Sequence, residues 1–287
     1  MAAGSTVSAG RAVQGRGGDV FAQGATASRG VAADRYGYGG GAAVAGRGYG
    51  THAWSPTYYH AQAIAGRDWF GAHPVFTNDW LRVHPWAWHP AAYASAAWAE
   101  TAWRAATWRS VGAWLAWDAV GPYAYDYGNS IVYQDGNVYY GTQPAGTASQ
   151  YYQEAANLAD TNASAPADND SQWLPLGVFS LMAPDKKTPD VVLQLAIDKQ
   201  GTLRGNCYEE ANQKTVAIQG AVDKKTQRVA IRVGDRKDLV IETGLYSLTQ
   251  DESTALVHSG PEQTTQYLMV RTKQPAQDQQ ASASSGG

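Results

Sequence analysis

The chain has a single cysteine, no lysine before Lys186, four phenylalanines and no apolar run of membrane-crossing length. One cysteine, Cys207, excludes an intramolecular disulfide and removes the usual sequence marker of an oxidising compartment, although a domain of this size does not need one. Inside a β-rich run and with no nucleophile signature around it, Cys207 reads as a packed thiol. Without about twenty consecutive apolar residues, no helix is expected to span a bilayer. The opening residues lack a basic start followed by a continuous apolar stretch, so no secretory leader is visible. Formal net charge is only −3. Arg alone supplies the positive charge of the first 117 residues, and neither Lys nor Arg occurs between Arg109 and Lys186. No folded part is strongly basic, so nucleic acid is not an expected partner.

Chemistry-bearing clusters are equally scarce. His84 and His89 flank Pro85, with His60 and His73 upstream, but no Cys or carboxylate stands at zinc-site spacing, so no metal or cofactor is expected. Glu209 and Glu210 are neighbours in a strand and point to opposite faces, which prevents them from sharing a substrate as acid and base. Asp168-Asn169-Asp170 lacks the Gly and closing Glu of a calcium loop. No catalytic residue is expected, and the chain is read as a non-enzyme.

What is present falls into segments. Residues 1–53 are Gly and Ala with scattered Arg and few large aliphatics, a composition that cannot offset chain entropy, and are expected to be disordered. Residues 54–160 carry nearly all the tryptophans. From His73-Pro74 to His89-Pro90 the segment should be extended or turning, because the residue before Pro avoids the α region. Ala91 to Trp117 predicts one helix, stopped by Gly121-Pro122. On its wheel, Glu100, Arg104, Thr107 and Asp118 share a narrow sector, while Trp98, Trp103, Trp108, Trp114 and Trp117 spread over the rest. Those rings need covering, by neighbouring elements, a second copy or a membrane surface. Next, Ile131–Gln134 and Asn137–Tyr140 around Asp135-Gly136 predict a β-hairpin, and Thr147 caps a helix from Ala148 to Leu158. Residues 161–172 read as an acidic linker and 274–287 as a second disordered tail.

Residues 173–273 are the most regular. Val191, Leu193, Leu195 and Ile197 alternate along one strand, and Gly201 turns the chain into Thr202–Tyr208. Similar runs recur at Leu174–Met182, Thr215–Val222, Val229–Val233, Leu239–Leu248, Ala255–His258 and Gln266–Arg271, with turn residues between. About eight antiparallel strands follow. Closure into an up-and-down barrel removes exposed edges, and a β-sandwich is the alternative. The fold class is therefore α+β: a disordered tail, a Trp-rich helical module with a hairpin, and an all-β domain.

Several separated motifs in order then carry a resemblance: Tyr125-Asp-Tyr-Gly-Asn129, Val132-Tyr-Gln-Asp135, Val138-Tyr-Tyr140, Gln150-Tyr-Tyr-Gln-Glu-Ala-Ala156, Trp173-Leu-Pro-Leu-Gly-Val-Phe179, Leu193-Gln-Leu-Ala196, Val222-Asp-Lys-Lys-Thr-Gln227 and Glu242-Thr-Gly-Leu-Tyr-Ser-Leu248. Over residues 54 to 273 the chain resembles bacterial cell-surface proteins labelled mu-protocadherin-like. That resemblance implies an exported envelope protein, secreted or at the cell surface, and transfers no catalytic residue. Such proteins would begin with an export signal, whereas this sequence opens Met1-Ala2-Ala3-Gly4-Ser5, so a lost leader is expected, with a cytoplasmic protein as the alternative.

The expectation for function is a non-catalytic structural or interaction protein of the cell envelope. Its partners would be envelope components or a second copy, with peripheral membrane contact. The alternative is a small-ligand or carbohydrate binder using the barrel lumen or the aromatic module. Trp98, Trp103, Trp108, Trp114, Tyr133, Tyr139 and Tyr140 are the candidate interaction residues, as amphipathic rings suited to stacking. An RNA role through the tail's few Arg-Gly pieces is a minor possibility, given its dilute charge.

Overall fold

The computed structural model describes residues 12–14, 20–22, 49–51, 55–91, 93, 95–117, 121–161, 172–184 and 186–275. The expected tails and the linker at 161–172 fall mostly outside these residues. In the first tail, β1 (Ala12–Gln14) pairs with β2 (Val20–Ala22), and β3 (Tyr49–Gly50) runs parallel to the last strand. The helices are α1 (Pro56–Ala72), α2 (Asn78–Val83), α3 (Ser95–Ala102), α4 (Trp108–Trp114) and α5 (Ala148–Asp160). A small sheet of β4 (Ile131–Gln134), β5 (Asn137–Tyr140) and β6 (Gln143–Thr147) precedes α5.

Eight strands follow: β7 (Leu174–Met182), β8 (Val191–Ile197), β9 (Thr202–Glu209), β10 (Lys214–Val222), β11 (Arg228–Val233), β12 (Leu239–Gly244), β13 (Glu252–Ser259) and β14 (Thr264–Arg271). Each pairs antiparallel with the next, and β14 pairs with both β13 and β7, which closes an up-and-down barrel. The sandwich alternative is thereby set aside. The period-two apolar set fills the lumen: Phe179, Leu181, Leu193, Leu195, Ile197, Leu203, Ile231 and Ile241 lie in one buried cluster together with Cys207. At Gly205 the strands approach so closely that a Cβ would fall 1.8 Å from the Gln194 carbonyl oxygen, so only glycine fits.

The wall is dry on its outer side too. α1 lays Ala63 on Met182, Leu268 and Val270, and Phe70 on Val178 and Val192. α3 packs Trp98, Ala99 and Ala102 against Trp173 and Ala196, and α5 sets Tyr152, Ala155 and Ala159 on Ala230 and Val240. α4 closes one mouth of the barrel, with Val111 and Leu115 joining the lumen cluster. The first module is thus a coat and a plug on the barrel.

Two expectations for the Trp-rich segment are corrected. Residues 91–117 form α3 and α4 with a break between them, because Thr107 accepts from the Ser110 amide while Ser110 accepts from the Thr107 amide, and this capping box starts a fresh helix. A straight helix would spread the Trp rings around its axis; the break lets Trp98 face the wall and Trp108 the mouth. Upstream, α2 occupies residues expected to be extended or turning, and α1 comes just before them. Ser55 and Thr77 cap them, and the His-Pro pairs stop the helices at His73 and His84. The hairpin turn at Asp135-Gly136, where both residues have positive φ, and the Thr147 cap of α5 are as expected. β6 was not.

Candidate functional site

Two places concentrate polar or aromatic chemistry, and the first lies between the barrel's outer wall and the coat. Glu242 on β12 is buried, and both its oxygens are engaged. The Tyr127 hydroxyl donates to Oε1 at 2.6 Å, and Arg228 donates to Oε2 at 2.9 Å. His258 Nε2 also donates to Oε2 at 3.1 Å, and its Nδ1 meets the Thr264 hydroxyl at 2.9 Å. Arg228 continues outward to Glu154 at 2.9 Å and to the Tyr151 carbonyl at 2.7 Å, with its guanidinium 3.7 Å from the Tyr151 ring centre. Burial by itself would raise the Glu242 carboxyl, but Arg228 and His258 outweigh it and hold the group down at about 2. Burial pushes the phenols of Tyr125, Tyr127, Tyr133, Tyr140 and Tyr151 above their ordinary value.

Carboxylate, imidazole, phenol and guanidinium within hydrogen-bond reach resemble a reaction centre. Here Tyr127, Glu242 and His258 are fully buried and Arg228 nearly so, and they bond one another. A substrate would have to displace the coat to reach them. As built, the cluster holds the two parts of the molecule together, as do side chains elsewhere on the wall. Asn206 accepts from the Trp88 amide at 2.8 Å and donates to its carbonyl at 2.9 Å; Gln227 accepts from the Tyr123 amide at 2.7 Å and donates to the Gly121 carbonyl at 2.8 Å. Each amide side chain stands in for a neighbouring strand. Gln266 donates to the Tyr127 carbonyl at 2.7 Å, and Arg232 grips Asp160 with two bonds at 2.6 and 2.7 Å, at the C-terminal end of α5. Gly244 leaves room for the Tyr125 ring, to which a Cβ would come within 2.5 Å.

The second place is on the outside. Asp68-Trp-Phe-Gly-Ala-His-Pro74 returns eleven residues later as Asp79-Trp-Leu-Arg-Val-His-Pro85. In both copies the His closes a helix, stacks on its own Trp and reaches that Trp's carbonyl through Nδ1. The first pair has ring centres 4.9 Å apart and a 3.1 Å bond; the second has 3.9 Å and 2.7 Å. A carbonyl only accepts, so Nδ1 carries the hydrogen in each. Beyond the second copy Trp86 is 62% exposed, and Val83 before it is 66% exposed.

The seven candidate interaction residues are distributed inward. Trp98 is fully buried against Trp88 and Tyr93; Trp103 meets Phe70 edge to face at 5.5 Å. Trp108 lies against Tyr246 at 5.9 Å, and Trp114 lies under the Lys199 ammonium at 5.2 Å, both at the plugged mouth. Tyr133 and Tyr140 belong to the tyrosine cluster, where Tyr140 shares a 3.1 Å hydroxyl bond with Tyr151, and Tyr139 is half-buried. Sequence reasoning passed over Trp86 and the repeat that leads to it, although the eleven-residue recurrence was there to read. The partners of Glu242 had no local signal at all. Among the described residues no group of three His, Cys, Asp or Glu side chains is placed to hold a metal, and no helix is long and apolar enough to cross a membrane. No protein-family model matches the chain, and no curated protein or solved structure matches it either.

Proposed function

We propose that the protein is a non-catalytic interaction module of the cell envelope or cell surface, in which a rigid barrel carries an aromatic outer segment. The exposure of Val83 and Trp86 at the end of the repeat carries this reading, because ordered apolar and aromatic surface outside any enclosed pocket suits recognition rather than reaction. The ionisable groups suited to proton transfer, Glu242 and His258, are held in internal pairs. Envelope location draws its support from the resemblance carried by the Tyr125–Asn129, Trp173–Phe179 and Glu242–Leu248 motifs. A second reading, carbohydrate binding, is favoured at the aromatic segment rather than in the lumen, since Leu193, Leu195 and Ile231 help to fill the latter.

Fractionation of the native host, with the protein followed by antibody, tests the location. Recovery with envelope or extracellular material is expected. Recovery wholly with soluble cytosol would overturn the proposal.

A further inference from the structure

We propose that the outer end of the second repeat, formed by Asp79, Arg82, His84 and Trp86, is a stacking platform for a neutral pyranose ring of a polysaccharide. This rests on the reading of the aromatic segment as an interaction surface and names the partner it fits.

The rings are braced in series. Phe76 is fully buried and meets Trp80 edge to face at 5.0 Å; Trp80 stacks on His84 at 3.9 Å with the planes 8° apart; His84 meets Trp86 edge to face at 5.6 Å. Only the last ring stands mostly in solvent. A ring held in place before binding loses little freedom when a ligand arrives. Because His84 Nδ1–H donates to the Trp80 carbonyl, Nε2 is the ring nitrogen left for a ligand, and it has no partner among the described residues. Arg82 and Asp79, paired at 3.1 Å, are exposed and offer a donor fork beside an acceptor. On α2 these two residues and Val83 share the side away from buried Leu81. An exposed indole beside an imidazole nitrogen, on a segment whose exposed Asp79–Arg82 pair adds donors and an acceptor without net charge, matches a ring that is apolar on its faces and hydroxylated at its rim.

Other occupants fit less well. Nucleic acid and anionic lipid call for surplus positive charge, whereas Arg82 is matched by Asp79 and no lysine precedes Lys186. Val83, Pro85 and Trp86 supply far less apolar area than the roughly 800 Å² per partner of a stable dimer.

The test uses the full chain with cellohexaose, laminarihexaose and chitohexaose, monitored by tryptophan fluorescence and calorimetry. Saturable binding of at least one is expected, weakened about tenfold or more by Trp86→Ala and to a lesser degree by His84→Ala. Trp86→Ala should keep the wild-type melting temperature, because the ring it removes is mostly solvent-facing. Failure of all three sugars to bind at millimolar concentration would overturn the proposal, as would binding indifferent to Trp86→Ala. So would a Trp86→Ala effect seen only on phosphatidylglycerol vesicle binding or only on sedimentation, which would reassign the surface to lipid or to a second copy. Fractionation is independent of these outcomes, so envelope recovery without sugar binding removes this proposal alone.

Discussion

The inner and outer faces of the barrel wall are both dry, yet they are made of different material. Inside, Leu, Ile, Val and Phe meet one another and the tip of α4. Outside, the buried residues include Arg204, Asn206, Gln227, Arg228, Arg232, Glu242, His258 and Gln266. The inner face needs only volume and shape, whereas the outer face must satisfy every polar group it removes from water. It does so for most of them, with backbone and side-chain partners that in places lie more than a hundred residues away, as in Asn206 to Trp88 and Gln227 to Tyr123, while Ser180 Oγ, Gln194 Nε2 and Arg228 Nε are buried without one. Non-directional packing therefore builds the barrel, and directional bonding seats the coat upon it in one orientation.

Substitutions on the two faces should separate these roles. The largest effect is expected from Glu242→Ala, which leaves Arg228 and His258 buried without their shared carboxylate and should cost about 3–5 kcal/mol in urea unfolding. A loss no larger than that of an exposed substitution would show that the cluster does not hold the coat. The same residue sets an acid limit. Its carboxyl lies at about 2 when folded, against 4.5 ordinarily, so its contribution is complete above the ordinary value and is lost as pH falls through the folded one. Stability followed by fluorescence should decline across that window, and Glu242→Gln should flatten the decline.

On the inner face Leu195→Ala should cost about 2–5 kcal/mol while sparing the coat, so limited proteolysis of the native protein should cut between α3 and α4 no faster than in wild type. Glu242→Ala should cut there faster. If both variants were cut alike, the division of labour between the faces would fail. Asn206→Ala is the mildest of the set, at about 1–3 kcal/mol for two backbone groups left without partners. Its signature should be local, with faster amide exchange at Trp88.

The inner face was legible in the sequence, because alternation over strands such as Val191–Ile197 is a local property and turn residues mark each boundary. Closure also followed from strand number and the cost of open edges. The outer face was not legible. Gln194, Arg204 and Asn206 in alternation read as the solvent side of a strand, and nothing local separates a polar residue facing water from one facing a distant backbone. The Trp-rich segment failed for a related reason: Thr107 and Ser110 cap each other within one turn, whereas Thr107 was placed on the polar sector of one continuous helix. His-Pro pairs were read as extended chain when they also mark where a helix stops. At the candidate site, the tyrosines were noticed but their surroundings were not, and Trp86 was hidden among neighbouring tryptophans of similar composition and very different exposure.

Closure depends on β14, which ends at Arg271 and must meet both β7 and β13. During translation α1 to α5 leave the ribosome first, with the surface they will rest upon still unsynthesised. At about 5–20 residues per second, the indole- and phenol-rich leading half spends seconds without its template. The faces of α1, α3 and α5 that rest on the wall therefore have no finished surface to pack on until the β13–β14 hairpin is made, and a premature stop just upstream of Thr264 would leave the barrel open.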